Sequence, residues 1–176
     1  EALDLLEDKL SAAIRDQMLS DVPLGFLLSG GIDSSLICAL AQKISALPIR
    51  TFSIGFDDKT YDESAYAREI AAHLGCIHTE MVVSPDDALQ VVNTLPTIYD
   101  EPFADSSQLP TYMVMKLVKQ HVTVALSGDG GDELFGGYNR YQHVPNVWRW
   151  LSKLPTPARA LAAASLTVLP ADLVNR

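Results

Sequence analysis

Hydrophobic positions along the chain change their spacing several times, and each change marks an element. Leu3, Leu6, Leu10, Ile14 and Met18 recur at helical intervals among charged residues, which predicts an amphipathic helix over residues 3–19. Pro23 ends that region, and Leu24-Gly25-Phe26-Leu27-Leu28 is an apolar run too short for a helix. The turn Ser29-Gly30-Gly31 follows, then a second helical pattern beginning near Ser34 and reaching about Ser45. Residues 49–55 read as a strand, 63–74 as a helix closed by Gly75, and 77–83 as another strand. Pro85 opens a helix over 86–95, residues 108–120 are helical, and 122–126 is the most β-branched stretch of the chain.

Four strands alternating with helices imply βαβ units. Right-handed crossovers then give an α/β fold with a doubly wound parallel sheet, helices on both faces. In such sheets ligands sit beyond the carboxyl ends of the strands, where the strand order reverses. A strand order of 3-2-1-4 would make the first and fourth strands neighbours, about 4.8 Å apart. The loops carrying Asp33 and Asp132 would then leave adjacent carboxyl ends. After Tyr138 the character changes: Pro145, Pro155, Pro157 and Pro170 punctuate short apolar helical pieces around Trp148 and Trp150. That stretch reads as the start of a helical region whose packing partners lie beyond Arg176. Neither a solenoid repeat nor a low-complexity tract interrupts the pattern.

Composition narrows the partners. The 176 residues are 48% hydrophobic, enough for one ordinary core, and the longest greasy stretch, 158–169, falls well short of a bilayer span. No basic apolar leader stands at Glu1, so a soluble protein with no membrane partner is expected. A net charge of −9 argues against a general nucleic-acid surface, which needs clustered Lys and Arg. An acidic chain can still hold a nucleotide through backbone N–H groups, a helix N-terminus and a divalent cation. Cys38 and Cys76 form neither a disulfide framework nor a CxxC site, which fits a reducing cytoplasm.

Two loops concentrate the chemistry. The first, Ser29-Gly30-Gly31-Ile32-Asp33-Ser34-Ser35, offers glycines for close approach to an anion, with hydroxyls and helix-start N–H groups as donors. It lacks the Walker A and GxGxxG spacings, and its nearest basic residue, Lys43, lies two turns into the helix. Asp33 would repel phosphate unless a cation stood between them, which points to magnesium. A plain Gly-Gly turn with Asp33 as a helix cap is the other use of these residues. The second loop, from Ser127-Gly128-Asp129-Gly130-Gly131-Asp132-Glu133 to Gly136-Gly137-Tyr138, is so rich in glycine and acid that it reads as an acidic turn rather than a regular element. A solvated surface loop or a weak calcium loop competes with that reading, although EF-hand spacing is absent. Asp105 and Asp62 are placed to cap the helices that follow, Asp105 alternatively to touch a substrate from the long polar connection 99–107. His73, His78, His121 and His143 show no metal-ligand spacing.

The SGGxDSS string resembles the PP-loop of the ATP pyrophosphatases, and the second loop resembles the S-G-[ED]-x-x-D-E-x-F-x-G-Y segment of the glutamine-dependent asparagine synthetases. The likeness spans about residues 21–141 and includes Thr51-Phe52-Ser53-Ile54-Gly55 and His78 to Glu80. It implies a PP-loop core over 1–143 with an N-terminal helix, and a truncated helical region over 144–176. It also implies that Ser29, Gly30, Gly31, Ser34 and Ser35 hold the phosphates of ATP, and that Asp33 and Asp132 hold Mg2+ and pyrophosphate. Leu27, Ile54, Ser127 and Gly128 would line the adenosine pocket, with ordinary strand packing as the other reading of Leu27 and Ile54. Asp129 falls where the family often has Glu, assigned to the acceptor or to the reaction centre, and its shorter side chain leaves the reach open.

The reaction implied is attack of a carboxylate, by the closest resemblance aspartate, on the α-phosphorus, followed by ammonia. The family's N-terminal glutaminase domain and downstream lysine are not in this sequence, so the isolated piece is expected to bind ATP weakly and catalyse poorly. A β-lactam synthetase-like ligase, another carboxylate amidotransferase, and a non-catalytic nucleotide-binding module remain open. So does the oligomeric state, a homodimer included.

Overall fold

In the computed structural model, residues 1–57, 62–101 and 104–168 are described. The chain divides into two compact units, Glu1–Asp129 and Gly130–Arg176, and the proline-rich stretch after residue 143 lies wholly in the second.

The first unit opens with α1 (Ala2–Gln17), followed by β1 (Leu24–Leu27), α2 (Ile32–Ile44), β2 (Arg50–Phe56), α3 (Ser64–Leu74) and β3 (Ile77–Val83). Next come α4 (Pro85–Val92), α5 (Leu95–Ile98), α6 (Gln108–Val118) and β4 (Val124–Leu126). The four strands form one sheet in the order β3-β2-β1-β4, every pair parallel. This is the expected doubly wound α/β arrangement, with β1 and β4 side by side and Phe26 opposite Leu126. The order reverses beside β1, so its carboxyl end and that of β4 frame the crevice such sheets use for ligands.

Side-chain alternation along the strands divides the core between two faces. Phe26 and Leu28 pack with Ile14 of α1, Cys38 and Ala41 of α2, and Ala67 and Ala71 of α3. Leu27 and Phe52 point the other way, against Leu117 and Val118 of α6 and Val122. Gly75 stops α3 in a left-handed conformation at φ 72°, while the Cys76 N–H donates to Ala71 O at 2.9 Å and the Gly75 N–H to Ala72 O at 3.2 Å. Asp62 precedes the N-cap, Glu63, and accepts from the Ser64 N–H at 3.1 Å at the start of the same helix.

Several boundaries differ from the hydrophobic pattern, three of them instructively. The helix expected over 86–95 ends at Val92, and α5 begins separately at Leu95. Continuation would require an N–H on Pro96, which proline lacks. The strand expected over 122–126 is paired only from Val124, because its partner β1 begins at Leu24; the Thr123 N–H, at 2.9 Å, instead donates to Pro23 O. The second helix starts at Ile32, two residues before Ser34.

The second unit contains α7 (Gly131–Phe135), α8 (Arg140–Leu151) and α9 (Thr156–Val168). Here the acidic turn is corrected: residues 131–135 make a regular helical turn. The glycines do not oppose it because they sit at its ends. Gly130 and Gly136 supply left-handed caps at φ 90° and 70°, and the interior is Asp-Glu-Leu-Phe. Pro170 and the end of the 158–169 stretch fall outside the described residues, as do Pro102 and Phe103 of the 99–107 connection. Among the described residues no helix is long and apolar enough to cross a membrane.

Candidate active site

The β1–α2 turn is held by its own hydroxyls. Ser34, buried in the first turn of α2, accepts from the Ser29 N–H at 3.2 Å, lies 3.0 Å from the Ser29 hydroxyl, and donates to Gly31 O at 3.2 Å. Ser35 donates to the same carbonyl at 2.6 Å, and the Gly31 N–H donates to the Ser29 hydroxyl at 3.3 Å. Gly30 makes the turn possible. Its φ is 86°, and a Cβ there would stand 2.9 Å from Tyr66 Cβ and 3.0 Å from Ala67 N, so α3 forms a seat that only glycine fits.

No side chain caps the N-terminus of α2, whose first turn carries Asp33. A helix start without a capping side chain keeps N–H donors for an anion, and the helix dipole favours negative charge there. Gly128, just beyond β4, lies directly over that turn. A Cβ on it would be 2.7 Å from the Ser34 nitrogen and 3.0 Å from Asp33 C and Ser34 Cα. The β1–α2 turn and the residues just after β4 thus touch, at Gly128 and Ser34.

Beside this contact opens a cleft of about 250 Å³, lined by Leu27, Ser29, Ser34, Ile54, Ser127, Gly128 and Asp129 among others. Seven of the residues singled out from the sequence are thus gathered in one place. Gly30, Gly31, Asp33 and Ser35 belong to the adjoining turn. Leu27 and Ile54 pack against the core and also line the cleft. Asp129 is exposed at the rim, where the Ser127 hydroxyl donates to its Oδ2 at 2.9 Å.

The pattern missed the opposite wall, made by Phe52 and Ser53 of β2 and by Pro110, Thr111 and Val114 of α6. The available signal was the alternation along β2, which turns Phe52 and Ile54 to the face covered by α6. Asp105 does not cap α6, whose N-cap is Ser107; its carboxylate accepts from the Ser107 N–H at 2.8 Å in the turn before the helix, which holds its carboxyl below the usual aspartate range. Lys43 is committed elsewhere, to Glu7 of α1 at 2.5 Å.

In the second unit, Asp132 sits in the first turn of α7. Its carboxylate rests against the α-carbon of Gly137, where any Cβ would overlap Asp132 Oδ1, and the Gly137 N–H donates to Asp132 O at 3.0 Å. Its neighbour Glu133 takes the Tyr138 O–H at 2.6 Å, which keeps the Glu133 carboxyl below its usual range and raises the Tyr138 phenol. Among the described residues no three His, Cys, Asp or Glu side chains gather as a preformed metal cage.

Comparison with known proteins bears on this arrangement. Residues 5–175 match the family model described as asparagine synthase, which extends the likeness beyond residues 21–141 on both sides. Asparagine synthetase [glutamine-hydrolyzing] 1 of Bacillus subtilis is 41% identical over 93% of this chain and 27% of its own length. A protein of Methanocaldococcus jannaschii named as a second synthetase of the same glutamine-hydrolysing kind is 43% identical over 89% of this chain and 32% of its own. The chain therefore spans about a third or less of the curated relatives it matches. Among solved structures, the glutamine-dependent NAD+ synthetase of Acinetobacter baumannii, determined with ADP, superposes with a TM-score of 0.58 at 25% identity, covering 78% of this chain and 28% of that one. The NMN synthetase of Francisella tularensis gives 0.52 at 17% identity over 77% of this chain and 58% of its own, a likeness of fold alone. With a match over 5–175 and a PP-loop fold around the SGGxDSS turn, the chain belongs to the asparagine synthase family.

Proposed function

We propose that this chain is the ATP-handling core of a carboxylate-amidating ligase of the glutamine-hydrolysing asparagine synthetase type. The observation that carries the reading is the contact of Gly128 with the uncapped first turn of α2, which presents backbone N–H groups at the mouth of the cleft. The cleft volume, about 250 Å³, lies near the low end of small-molecule pockets, roughly 300 Å³. It suits a base and sugar between Leu27, Ile54 and Val114, with the phosphates outside over Ser29–Ser35. The Acinetobacter NAD+ synthetase, a relative in fold determined with ADP, supports nucleotide binding by a protein of this fold.

Asp33 and Asp132 are the residues that would hold magnesium, which needs only one or two protein carboxylates once phosphate oxygens complete its shell. When bound, the ion offsets the charge that gathers on the departing pyrophosphate. The room left by Gly137 for the Asp132 carboxylate fits that use, and so does the half-buried placing of Asp33 beside the turn.

The chain's own contribution is positional. Ser29, Ser34, Ser35 and the first N–H groups of α2 fix the phosphates, while Gly128 and Ser127 hold the α-phosphate end near the rim where Asp129 stands. A substrate carboxylate oxygen, aspartate being the first choice, attacks the α-phosphorus as the bond to the bridging oxygen breaks and pyrophosphate leaves. Ammonia then adds to the acyl carbon, and AMP departs with one of the original carboxylate oxygens. Asp129 at the rim would take a proton from the entering ammonia.

The test is calorimetry of ATP binding to the full-length protein and to its Asp33→Asn and Asp132→Asn variants, with and without magnesium. The expected result is a magnesium-dependent affinity that falls at least tenfold in either variant, about 1.4 kcal/mol. Binding that ignores magnesium in all three proteins would favour a nucleotide module without catalysis.

A further inference from the structure

One partly buried titratable side chain near the cleft has no part in the chemistry above. His78, on β3, stands opposite Thr51 of the neighbouring β2. Its Nδ1 is 2.9 Å from the Thr51 hydroxyl and its Nε2 is 3.2 Å from the Ser53 hydroxyl. Thr51 is wholly buried and Ser53 is 4% exposed, so neither hydroxyl exchanges this partner freely for water. Ser53 and the next residue, Ile54, also form part of the cleft wall. The imidazole therefore staples the strand segment that faces the ligand.

The charged groups facing the ring are Glu80 from β3 and Arg68 from α3. Glu80 Oε2 stands 4.0 Å from His78 Nε2, and Arg68 holds both Glu80 oxygens in a fork at 2.8 to 3.2 Å. With its carboxylate engaged by arginine, Glu80 is a weak counter-ion for an imidazolium. Burial outweighs it and pushes His78 below the usual histidine value of 6.5. The ring is thus neutral near pH 7, one nitrogen donating and the other accepting. Protonation removes the acceptor, and one of the two buried hydroxyls must find another home for its proton.

We infer that neutral His78 is a positioning residue for the nucleotide wall: it fixes Ser53, and through it the rim of β2, in the form that accepts the adenosine moiety. This rests on the reading of the cleft as a nucleotide site. Ligand binding and the deprotonated ring then favour one another, and by linkage each shifts the other by the same factor.

The experiment uses adenosine itself, which has no group titrating between about pH 5 and 8, unlike the phosphates of ATP. Histidine resonances of the full-length protein are followed by NMR against pH, with and without saturating adenosine, and adenosine affinity is measured across the same range. The expected result is a His78 titration that moves to lower pH when adenosine is present, with affinity falling about three- to tenfold on acidification. His78→Gln keeps a donor and an acceptor but cannot titrate, and should bind adenosine equally at both ends of the range. Should that variant fold poorly, the wild-type titration decides alone. A His78 titration unmoved by bound adenosine, or an affinity independent of pH, overturns the inference while leaving the nucleotide reading intact. If adenosine binds at no pH, the nucleotide reading falls and the inference with it.

Discussion

Replacing Gly128 with alanine tests the join between the two loops. The added methyl carbon would stand 2.7 Å from the Ser34 nitrogen, whereas ordinary contacts begin near 3.4 Å, so about 0.7 Å must come from movement. The obstructing atoms are backbone of Asp33 and Ser34, which no rotamer change can clear. Either the segment after β4 lifts away or the first turn of α2 is pushed aside, and both spoil the seat proposed for the phosphates. A misplacement near 1 Å can cost about a hundredfold in rate, so a fall of roughly 10- to 100-fold in pyrophosphate release is expected, about 1.4–2.7 kcal/mol. Overpacking should also lower stability by about 1–3 kcal/mol. The control is Gly75→Ala at the far end of α3. Nothing lies within 4 Å of a Cβ there, but φ is 72°, so it should cost about 1–2 kcal/mol of stability by strain alone and leave nucleotide affinity intact. Denaturant melts and pyrophosphate release on both variants separate the two effects. A Gly128→Ala protein with wild-type stability and turnover would refute the argument.

Three further outcomes follow from the same geometry. Cys38 is fully buried and its thiol is pushed up to about 12 by burial, so at pH 8 about one thiol in ten thousand is ionised; iodoacetamide should label Cys76 in the folded protein and Cys38 only after denaturation, as read by peptide mass spectrometry. Asp87 accepts from both the hydroxyl and the N–H of Ser84, which holds its carboxyl below 3.8. That contribution is complete above the unfolded value and lost as pH falls through the lower folded one, so Ser84→Ala should flatten the acid limb of a stability-versus-pH curve below about pH 4. Gly30→Ala combines a φ of 86° with a 2.9 Å approach to Tyr66 Cβ, and should destabilise by at least about 1–2 kcal/mol in a denaturant melt while displacing the β1–α2 turn.

The fold was legible because its strands carry their pattern locally. Leu24–Leu28 and the 49–55 run are short, apolar and bounded by Pro and Gly, and the alternation with helices leaves little choice but a parallel sheet. What misled were effects of a neighbour or of position. Val122 and Thr123 have strand composition but stand outside the β1–β4 pairing, since β1 starts only at Leu24 and their N–H groups go to Val118 O and Pro23 O. The glycine count of 128–137 suggested irregularity, yet glycines at the two ends of a helical turn are caps, and only the interior decides. For the site, the turn residues announced themselves by type and spacing. The α6 wall of the cleft did not, because Pro110, Thr111 and Val114 are ordinary helix residues that acquire a role only through the sheet they cover. His78 carried no metal spacing, and its two hydroxyl partners lie on another strand, so their convergence is visible only in three dimensions.

The most direct test of the account is where ATP is cut and where an acceptor oxygen goes. The full-length protein is given ATP, magnesium, ammonia and aspartate labelled with 18O in its side-chain carboxylate, and the products are read by mass spectrometry. Cleavage at the α-phosphorus predicts AMP carrying one 18O, unlabelled pyrophosphate, and asparagine retaining the other. ADP with 18O in inorganic phosphate would contradict it.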